Sequence, residues 1–518
     1  MRSAKKVRSN TLRIFAIIIC VVTILLIAPT TIAATGWIRT YQGGALDSLL
    51  PSSVIQTRDG GYATAIFGDI RRVDNLGYPG HYKESFELQI IKTTSNGEVQ
   101  WCQNFTQIDD PNRETQSIYV SSERYIIVQT SDQGYVVASS GTFNFWMFKV
   151  DPQGRVLWSK TYAHIEENPS GSRLYSMIKT NDGGFALAGS TETFEDAGDF
   201  WLVKVDSKGD AQWNQTYNSG TYKNSWGTDD PREDEAKSVI QTRDGGYALV
   251  GSASLYRAST SSIVYPSWVV KTDAQGKRLW DKGYDSPNIN YREYQIIQTT
   301  DGGYAIMGTQ NDDFYLMKID STSQLQWSKT YGDKSTDAPC SIVQLSDGGY
   351  AMAGTWTKIN STATASTMGL LRLDSSGQTV WIKTYNAKEN ATTISNDLAN
   401  AMVLTSDGGY AIIGSTIYGS GSHQDVFFVK TETLEQPPQP TATLTPSSST
   451  TPTIVTPTPT QTFAPNDSPT SSPTQTTTAS NSNPAPSPSI PEIPTGLTIS
   501  LLIATTAILL SLRKKKLN

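Results

Sequence analysis

The residue types that most often carry catalysis are few and scattered in this chain of 518 residues. Its three histidines, His81, His164 and His423, each stand alone in a loop-like segment. None has a second histidine at metal-ligand spacing, and no Cys–His nucleophile arrangement is visible with Cys102 or Cys340. We predict no cofactor, and a non-enzymatic protein is favoured. We also interpret both cysteines as buried, small apolar side chains without a disulfide bridge.

Two acidic clusters could in principle bind a cation. They are Asp109-Asp110 and the segment from Asp229 to Glu235. Neither follows the ligand spacing of an EF-hand, so solvated acidic loops are the favoured interpretation. Calcium binding stays open as an alternative.

Aromatic side chains in long loop segments are the better candidates for a binding site. Tyrosine and tryptophan suit both the stacking of sugars and the hot spots of protein interfaces. The alternative is that each of them packs within its own loop. The candidate ligand-binding residues are Tyr78, Tyr82, Tyr222, Trp226, Tyr256, Tyr265 and Trp356.

A seven-residue motif recurs seven times and indicates the repeated scaffold from which those loops extend. It reads Gln-Thr-Arg-Asp-Gly-Gly-Tyr from Gln56 to Tyr62, and its Asp-Gly lies between short β-rich runs. Asp-Gly between such runs predicts a hairpin, and the aspartate is expected to hydrogen-bond within its own turn. The copies begin at Gln56, Gln129, Lys179, Gln241, Gln298, Gln344 and Leu404.

A second phrase places a basic residue nine positions before a tryptophan. The constant spacing predicts a second hairpin, and therefore a unit of four strands, which we name a to d. We expect the tryptophans to pack between units and the basic residues to pair with turn aspartates. The pairs are Lys92/Trp101, Lys149/Trp158, Lys204/Trp213, Lys271/Trp280, Lys318/Trp327 and Arg372/Trp381.

The seventh unit lacks its tryptophan strand after Lys430. The missing strand is found at the other end of the domain, where Trp37 to Tyr41 matches Trp327 to Tyr331. Such a permutation closes a ring and removes its exposed edges. The fold class is therefore predicted to be all-β, a seven-bladed β-propeller closed by the strand Trp37–Tyr41.

The two ends predict export and attachment to a membrane. Residues 1–33 combine a basic start, an apolar run and small residues, which is typical of a signal peptide. The propeller is assigned to residues 34–435, and a Pro/Thr/Ser-rich stalk to 436–489. Residues 490–518 form an apolar segment with a basic tail, which predicts a membrane anchor on the outer face of the cell.

Charge and sequons fit an exported protein. Apart from the basic residues of both ends and the acids of the stalk and anchor, 33 Lys and Arg stand against 46 Asp and Glu, a net charge near −13. An acidic surface repels phosphate backbones, so nucleic acid is excluded as a partner. The sequons predict N-glycosylation at Asn104, Asn214, Asn360 and Asn390.

Two resemblances extend this interpretation. The motif from Asp206 to Trp213 resembles the tryptophan-docking motif of quinoprotein-type propellers, with one residue fewer between Asp and Gly. Region 36–431 is similar to the Asp-Gly-Gly-Tyr repeat propellers of secreted prokaryotic proteins, which implies the fold. No quinone-binding residues match, so a redox cofactor is not carried over. The segment 490–496 resembles archaeal sortase-type sorting signals, with Ile493 in place of phenylalanine.

The variable b–c and d–a loops are expected to carry the function, because they extend from a rigid ring. We therefore predict a monomeric, cell-surface module that binds a protein or a glycan on that face. The alternatives are an extracellular lyase, hydrolase or quinoprotein-like enzyme with its site at the channel mouth, and a structural component of a surface layer.

Overall fold

The computed structural model describes the strands of the ring and some of the connections between them. The described residues are 36–42, 48–73, 82–105, 107–108, 118–119, 124–141, 144–163, 170–192, 198–220, 222–223, 229–230, 234–253, 255–257, 262–264, 266–284, 295–332, 335–359, 364–387, 395–418 and 424–433. The predicted signal peptide, stalk and anchor lie outside them. Across these ranges every regular element is a strand, and no helix is long and apolar enough to cross a membrane.

The strands form seven antiparallel four-stranded sheets, which are the blades. The first strand of the chain is β1 (Trp37–Tyr41). Blade 1 contains β2 (Ser48–Gln56), β3 (Tyr62–Val73), β4 (Tyr82–Thr93) and β5 (Val99–Phe105). A short ribbon follows, made of β6 (Gln107–Ile108) and β7 (Ile118–Tyr119). Blade 2 contains β8 (Tyr125–Gln129), β9 (Tyr135–Ser140), β10 (Phe145–Val150) and β11 (Val156–Tyr162). Blade 3 contains β12 (Ser170–Lys179), β13 (Phe185–Glu192), β14 (Asp199–Val205) and β15 (Ala211–Tyr217).

The second half of the ring repeats this order. After the ribbon of β16 (Tyr222–Lys223) and β17 (Asp229–Asp230), blade 4 begins with β18 (Glu235–Gln241) and β19 (Tyr247–Ser252). The ribbon of β20 (Leu255–Arg257) and β21 (Ser262–Val264) precedes its last strands, β22 (Ser267–Thr272) and β23 (Arg278–Tyr284). Blade 5 contains β24 (Gln295–Gln298), β25 (Tyr304–Gln310), β26 (Asp313–Ile319) and β27 (Leu325–Tyr331). Blade 6 contains β28 (Ala338–Gln344), β29 (Tyr350–Ile359), β30 (Thr364–Leu373) and β31 (Thr379–Tyr385). Blade 7 contains β32 (Ser395–Leu404), β33 (Tyr410–Tyr418), β34 (Gln424–Lys430) and β1.

The ring closes as the sequence predicts. Strand β1 pairs antiparallel with β34 and places Trp37 opposite Lys430. The same register places Lys204 opposite Trp213 within blade 3. The first strand of the chain therefore serves as strand d of the last blade, and the all-β, seven-bladed propeller is confirmed.

The apolar core lies between blades rather than within one sheet. Each of seven buried clusters joins two neighbouring blades, and one of them unites Tyr62 of blade 1 with Phe428 of blade 7. Strands b and c are covered on both sides, so β19 is buried along its whole length. Strand d has one solvent-facing side, and β23 alternates between exposed and buried residues.

The ring has two faces, which we name by their connections. The a–b and c–d turns form the fixed-turn face, and the strand ends that lead into the b–c and d–a connections form the variable-loop face. Both described chain ends lie on the fixed-turn face. The Thr433 hydroxyl donates to the Asp407 carbonyl of the a–b turn at 2.7 Å, and Gly36 lies against the backbone of Lys430 and Glu432.

Candidate functional site

The repeated basic residues hold the fixed-turn face together. In blade 1, Lys92 Nζ donates to both carboxylate oxygens of Asp59, at 3.1 and 2.8 Å, and to the Thr93 carbonyl at 2.8 Å. The same ion pair recurs in every blade, which confirms the predicted structural role. The pairs are Lys92–Asp59, Lys149–Asp132, Lys204–Asp182, Lys271–Asp244, Lys318–Asp301, Arg372–Asp347 and Lys430–Asp407.

The glutamine of the repeat has a role that the sequence did not reveal. Gln56 Oε1 of blade 1 accepts the backbone N–H of Ser406 in the turn of blade 7, at 2.7 Å. Gln129 accepts the N–H of Arg58 in the same way, at 2.9 Å. Each such bond ties one turn to the next blade. The amide nitrogen of the same glutamine can also donate within its own turn, as Gln344 Nε2 does to the Gly348 carbonyl at 3.1 Å, so the residue links blades as well as stabilising its hairpin. Only an observed neighbour could disclose this, because the partner lies 44 to 350 residues away in the sequence.

The repeated tryptophans also join blades. Trp37 Nε1 donates to the Ser95 carbonyl in the c–d turn of blade 1 at 2.9 Å, and its ring lies against Gly97. Tyr41 completes the contact by donating to the Gly97 carbonyl at 2.7 Å. The prediction that these tryptophans pack between blades is confirmed, and they are not ligand-binding candidates.

A concave site lies at the central channel. Its cavity has a volume of about 1130 Å³ and is lined by the first strand of each of the seven blades. The lining includes Ser140, Thr357 and Ser366, which lie at strand ends on the variable-loop face. Part of the cavity lining therefore lies on the variable-loop face.

Part of the polar lining is structural. Ser53 Oγ accepts the backbone N–H of Ile127 in the next blade at 3.0 Å. Ser238 accepts the N–H of Ile296 at 3.3 Å, and Ser341 that of Met402 at 3.0 Å. These hydroxyls fasten the innermost strands of neighbouring blades to each other.

In blades 3 and 4 a charged cluster lies next to these serines. The carboxylate of Glu235 accepts the Tyr175 hydroxyl at 2.5 Å and pairs with Lys237 Nζ at 2.6 Å and with Arg173 Nη1 at 3.5 Å. Lys237 Nζ also lies 3.6 Å from the Tyr175 ring centroid. Burial alone would raise the pKa of Glu235, but the charge and hydrogen bond of Lys237 and the Tyr175 hydroxyl hold it below its ordinary value.

The sequence analysis missed this cluster. Arg173, Tyr175, Glu235 and Lys237 come from two blades and form no linear motif. The available signal was that strand a of each blade must face the channel, where a charged or aromatic residue departs from the serine and small apolar residues of other blades. Arg124, which also lines the channel in blade 2, is a third basic departure of this kind.

The aromatic candidates are only partly visible. Tyr82, Tyr222 and Tyr256 lie in β4, β16 and β20, but their side chains are not among those described. Tyr78, Trp226 and Tyr265 lie outside the described residues. Trp356 is half-buried in β29 of blade 6 and packs on Phe314 of blade 5, with ring centroids 4.9 Å apart, so its contact is with the neighbouring blade and not within its own loop. Ligand binding by the seven residues stays a prediction.

The sequons and cysteines have mixed outcomes. Asn104 and Asn214 are exposed on strand d; Asn214 Oδ1 accepts the Trp201 indole N–H at 3.3 Å. Asn360 and Asn390 lie outside the described residues, and glycosylation stays a prediction. Cys102 and Cys340 form no disulfide. Burial of Cys102 is wrong, because strand d is outermost and its side chain is exposed; Cys340 is half-buried at the channel wall.

The structure does not describe the remaining candidates for chemistry. His81, His164 and His423 lie outside the described residues, as do Asp109 and Asp110. Over the described ranges no group of three or more potential ligand residues could hold a metal ion.

Comparisons with known proteins add little beyond the fold. No family model and no curated protein matches the chain. Solved structures with a similar shape include a protein of unknown function from Dyadobacter fermentans, 11% identical over 76% of this chain and 99% of that one, with a TM-score of 0.40. A protein of unknown function from Bacteroides caccae is 15% identical over 54% of this chain and 83% of that one, with a TM-score of 0.35. A mannose phosphorylase from Leishmania mexicana is 11% identical over 51% of this chain and 85% of that one, with a TM-score of 0.28. Likenesses this weak carry no argument about activity.

Proposed function

We propose that this protein is a non-enzymatic binding module of the cell surface, which binds its ligand on the variable-loop face with the channel mouth at the centre. The observation that carries the proposal is the channel cavity of about 1130 Å³, which opens among the strand ends of that face. Concave sites with a few converging polar groups are the usual places for ligands.

The contacts of the repeated residues support this choice of face. On the fixed-turn side the repeated lysine, glutamine and tryptophan are engaged in contacts that hold the blades. The loops on the other side differ in length between blades, and variable loops on a rigid ring commonly carry binding. Tyr82, Trp226 and Tyr256 belong to those loops by sequence.

The attachment of the protein is part of the proposal. A signal peptide over 1–33 would export the chain, and a stalk and anchor over 436–518 would hold it at the outer face of the membrane. The described chain ends at Thr433 on the fixed-turn face. We also propose a prokaryotic, archaeal origin and N-glycosylation of the exported domain.

Binding is tested with the full chain purified in detergent. We expect it to bind a component of glycan arrays or cell-wall fractions, and the triple variant Tyr82→Ala/Trp226→Ala/Tyr256→Ala to lose that binding with unchanged melting. The matched control is Leu279→Ala, which removes an exposed apolar side chain from strand d. Undiminished binding by the triple variant would place the site elsewhere. Conversion of the ligand would instead favour an enzyme, and self-assembly into sheets a surface-layer component.

The anchor is tested separately by mass spectrometry of the C-terminal peptide from cells. If residues 490–518 act as a sorting signal, the peptide ends before the basic tail and carries a lipid. A peptide that retains Lys514 to Lys516 shows a plain membrane anchor and rejects processing.

A further inference from the structure

We propose that the channel mouth binds a short anionic oligosaccharide, whose acidic group is held by Arg124, Arg173 and Lys237. This inference rests on the proposed binding function and names the ligand class for it. The three basic residues belong to consecutive blades, 2, 3 and 4, and all three line the same cavity.

The charge of the lining is opposite to that of the domain. The chain carries 48 acidic against 42 basic residues, and the excess of acid is larger once its basic ends are set aside. Among the described residues that line the channel there are three basic side chains and no aspartate or glutamate. A generally acidic protein with a locally basic cavity attracts an anion to that place and to few others.

The cluster is held in place before a ligand arrives. Glu235 pairs with Lys237 at 2.6 Å and with Arg173 at 3.5 Å, but it does not itself line the cavity. Glu235 thus holds Arg173 and Lys237 side by side at the cavity wall. Arginine can bind an oxyanion through two parallel N–H groups, which makes it suited to a carboxylate or sulfate. The side chain of Arg173 is 59% exposed and can reach such a group.

The rest of the lining suits a saccharide. Serine and threonine side chains and Asn400 surround the cavity and can exchange hydrogen bonds with sugar hydroxyls. The Tyr175 side chain stands among them and offers an aromatic surface. A volume near 1130 Å³ is comparable to the roughly 300–1,000 Å³ of known small-ligand sites, so a few sugar units fit.

The test uses titration calorimetry with the full chain in detergent and three probes. Oligogalacturonate carries carboxylates, a heparin oligosaccharide carries sulfates as well, and a cello-oligosaccharide is neutral. We expect an anionic probe to bind at least ten times more tightly than the neutral one, with an affinity that falls as salt is added. Preference for oligogalacturonate identifies a carboxylate, and preference for heparin identifies a sulfate; both support the proposal.

Two variants locate the site. Arg124→Gln/Arg173→Gln should weaken the anionic probe at least tenfold. Asn400→Asp adds a carboxylate to the lining with little change of shape and should weaken it too, so the test does not depend on one variant folding. The matched control is Lys208→Gln/Lys277→Gln, which removes two positive charges from exposed c–d turns of the opposite face and should bind normally.

The results that overturn the proposal are distinct from those that overturn the binding function. If neither anionic probe binds, or if the neutral probe binds as well as they do, the ligand class is wrong. If both channel variants bind like the unaltered protein, the site is wrong. If the channel variants bind normally but the triple alanine variant at Tyr82, Trp226 and Tyr256 loses its ligand, the proposed binding function stands. Only the inference about the channel is then rejected.

Discussion

The fixed-turn face and the channel wall are built from the same seven repeats but follow opposite rules. On the fixed-turn face every blade pairs a basic residue of strand c with the same turn aspartate; the basic residue is arginine in blade 6, at Arg372, and lysine in the others. On the channel wall one strand-a position, four residues before the start of each repeat phrase, changes from blade to blade. Among the described residues that line the channel it is occupied by Ser52, Tyr175, Lys237, Cys340 and Asn400, in blades 1, 3, 4, 6 and 7.

The difference separates two kinds of constraint. Each fixed turn must fit the next blade, so all copies face the same neighbour and need the same residues. A channel residue faces open space, where nothing in the fold requires seven equal copies. Departures that bring charge into that space, such as Lys237, are therefore the ones that point to a ligand. We expect the largest effects from changes at the regular contacts between blades.

Deleting the strand from Trp37 to Tyr41 should have the largest effect, because it removes strand d from one blade. Trp37 stacks edge-on against Tyr62 and Phe428, with centroids 5.9 and 5.0 Å apart. Loss of a buried aromatic side chain alone costs about 3–5 kcal/mol, a large share of the roughly 5–15 kcal/mol of a typical domain. Denaturant unfolding measures the loss. The control Ile38→Ala, at an exposed position of the same strand, should change stability by less than about 0.5 kcal/mol. A deletion protein that melts like the unaltered one would contradict the closed ring.

A pair of glycines in blade 3 isolates the tryptophan contact. Gly183 and Gly209 have nearly the same positive φ, 84° and 80°, so alanine at either position bears a similar backbone strain of about 1–2 kcal/mol. A Cβ at Gly183 meets nothing within 4 Å, whereas at Gly209 it meets Trp158 Cη2 at 2.8 Å. Gly209→Ala should therefore be less stable than Gly183→Ala by a further ~1–3 kcal/mol. Equal unfolding free energies for the two variants would show that the contact between blades contributes nothing.

Comparable substitutions on the two faces should separate stability from binding. Lys271 is buried and donates to Asp244 and to the Thr272 carbonyl at 2.7 Å. Lys271→Met leaves that carbonyl without its donor and should cost about 1–3 kcal/mol, with ligand affinity unchanged. Arg173→Gln should change the free energy of unfolding by less than about 0.5 kcal/mol and weaken the anionic probe. Calorimetric unfolding and titration of both variants check this; a reversed result would exchange the roles assigned to the faces.

Acid should weaken the fixed-turn face by a small amount per blade. Burial opposes ionisation of Asp132, Asp182 and Asp301, but hydrogen bonds from the paired lysine and the repeat threonine lower each pKa to about 2. Because the folded pKa lies below the unfolded value near 3.9, the stabilisation is complete above about pH 4 and is lost as the pH falls toward 2. These carboxylates are about half exposed, so each pair contributes no more than roughly 0.2–1 kcal/mol.

The melting temperature between pH 5 and pH 2 measures this loss. A double variant Lys204→Met/Asp182→Asn lacks one pair and should show a shallower decline over the same interval. If its decline matches that of the unaltered protein, the ion pairs do not explain the acid sensitivity.

The sequence could predict the contacts that recur in every blade better than those that occur in one place. The nine-residue spacing from Lys204 to Trp213 predicts their pairing, since both lie in one hairpin whose turn length is set. The match of Trp37 to the other tryptophans predicts closure because it repeats an existing contact. The pairing within the cluster around Glu235 could not be predicted, because its members come from two blades and occur in this combination only once, although their departure from the other copies of strand a was visible. Cys102 was misjudged because its apolar character suggested burial, whereas its place on strand d decides its exposure.

We expect the smallest effect from restoring glycine at two turns of the fixed-turn face where the repeat has another residue. Blade 2 reads Asp132-Gln133-Gly134, and Gln133 takes a φ of 67° where other blades have glycine. Left-handed backbone costs a residue with a side chain more than it costs glycine, and part of the gain is offset by the greater freedom of glycine in the unfolded chain. Gln133→Gly should therefore raise the free energy of unfolding by about 0.5–1 kcal/mol, measured by denaturant unfolding. Ser323→Gly repairs the corresponding departure in a c–d turn of blade 5, where φ is 66°, and should behave alike. On the channel wall the same kind of repair, Lys237→Ser, should weaken the anionic probe instead. If Gln133→Gly destabilised the ring, the regular turn would not be the arrangement that this fold favours.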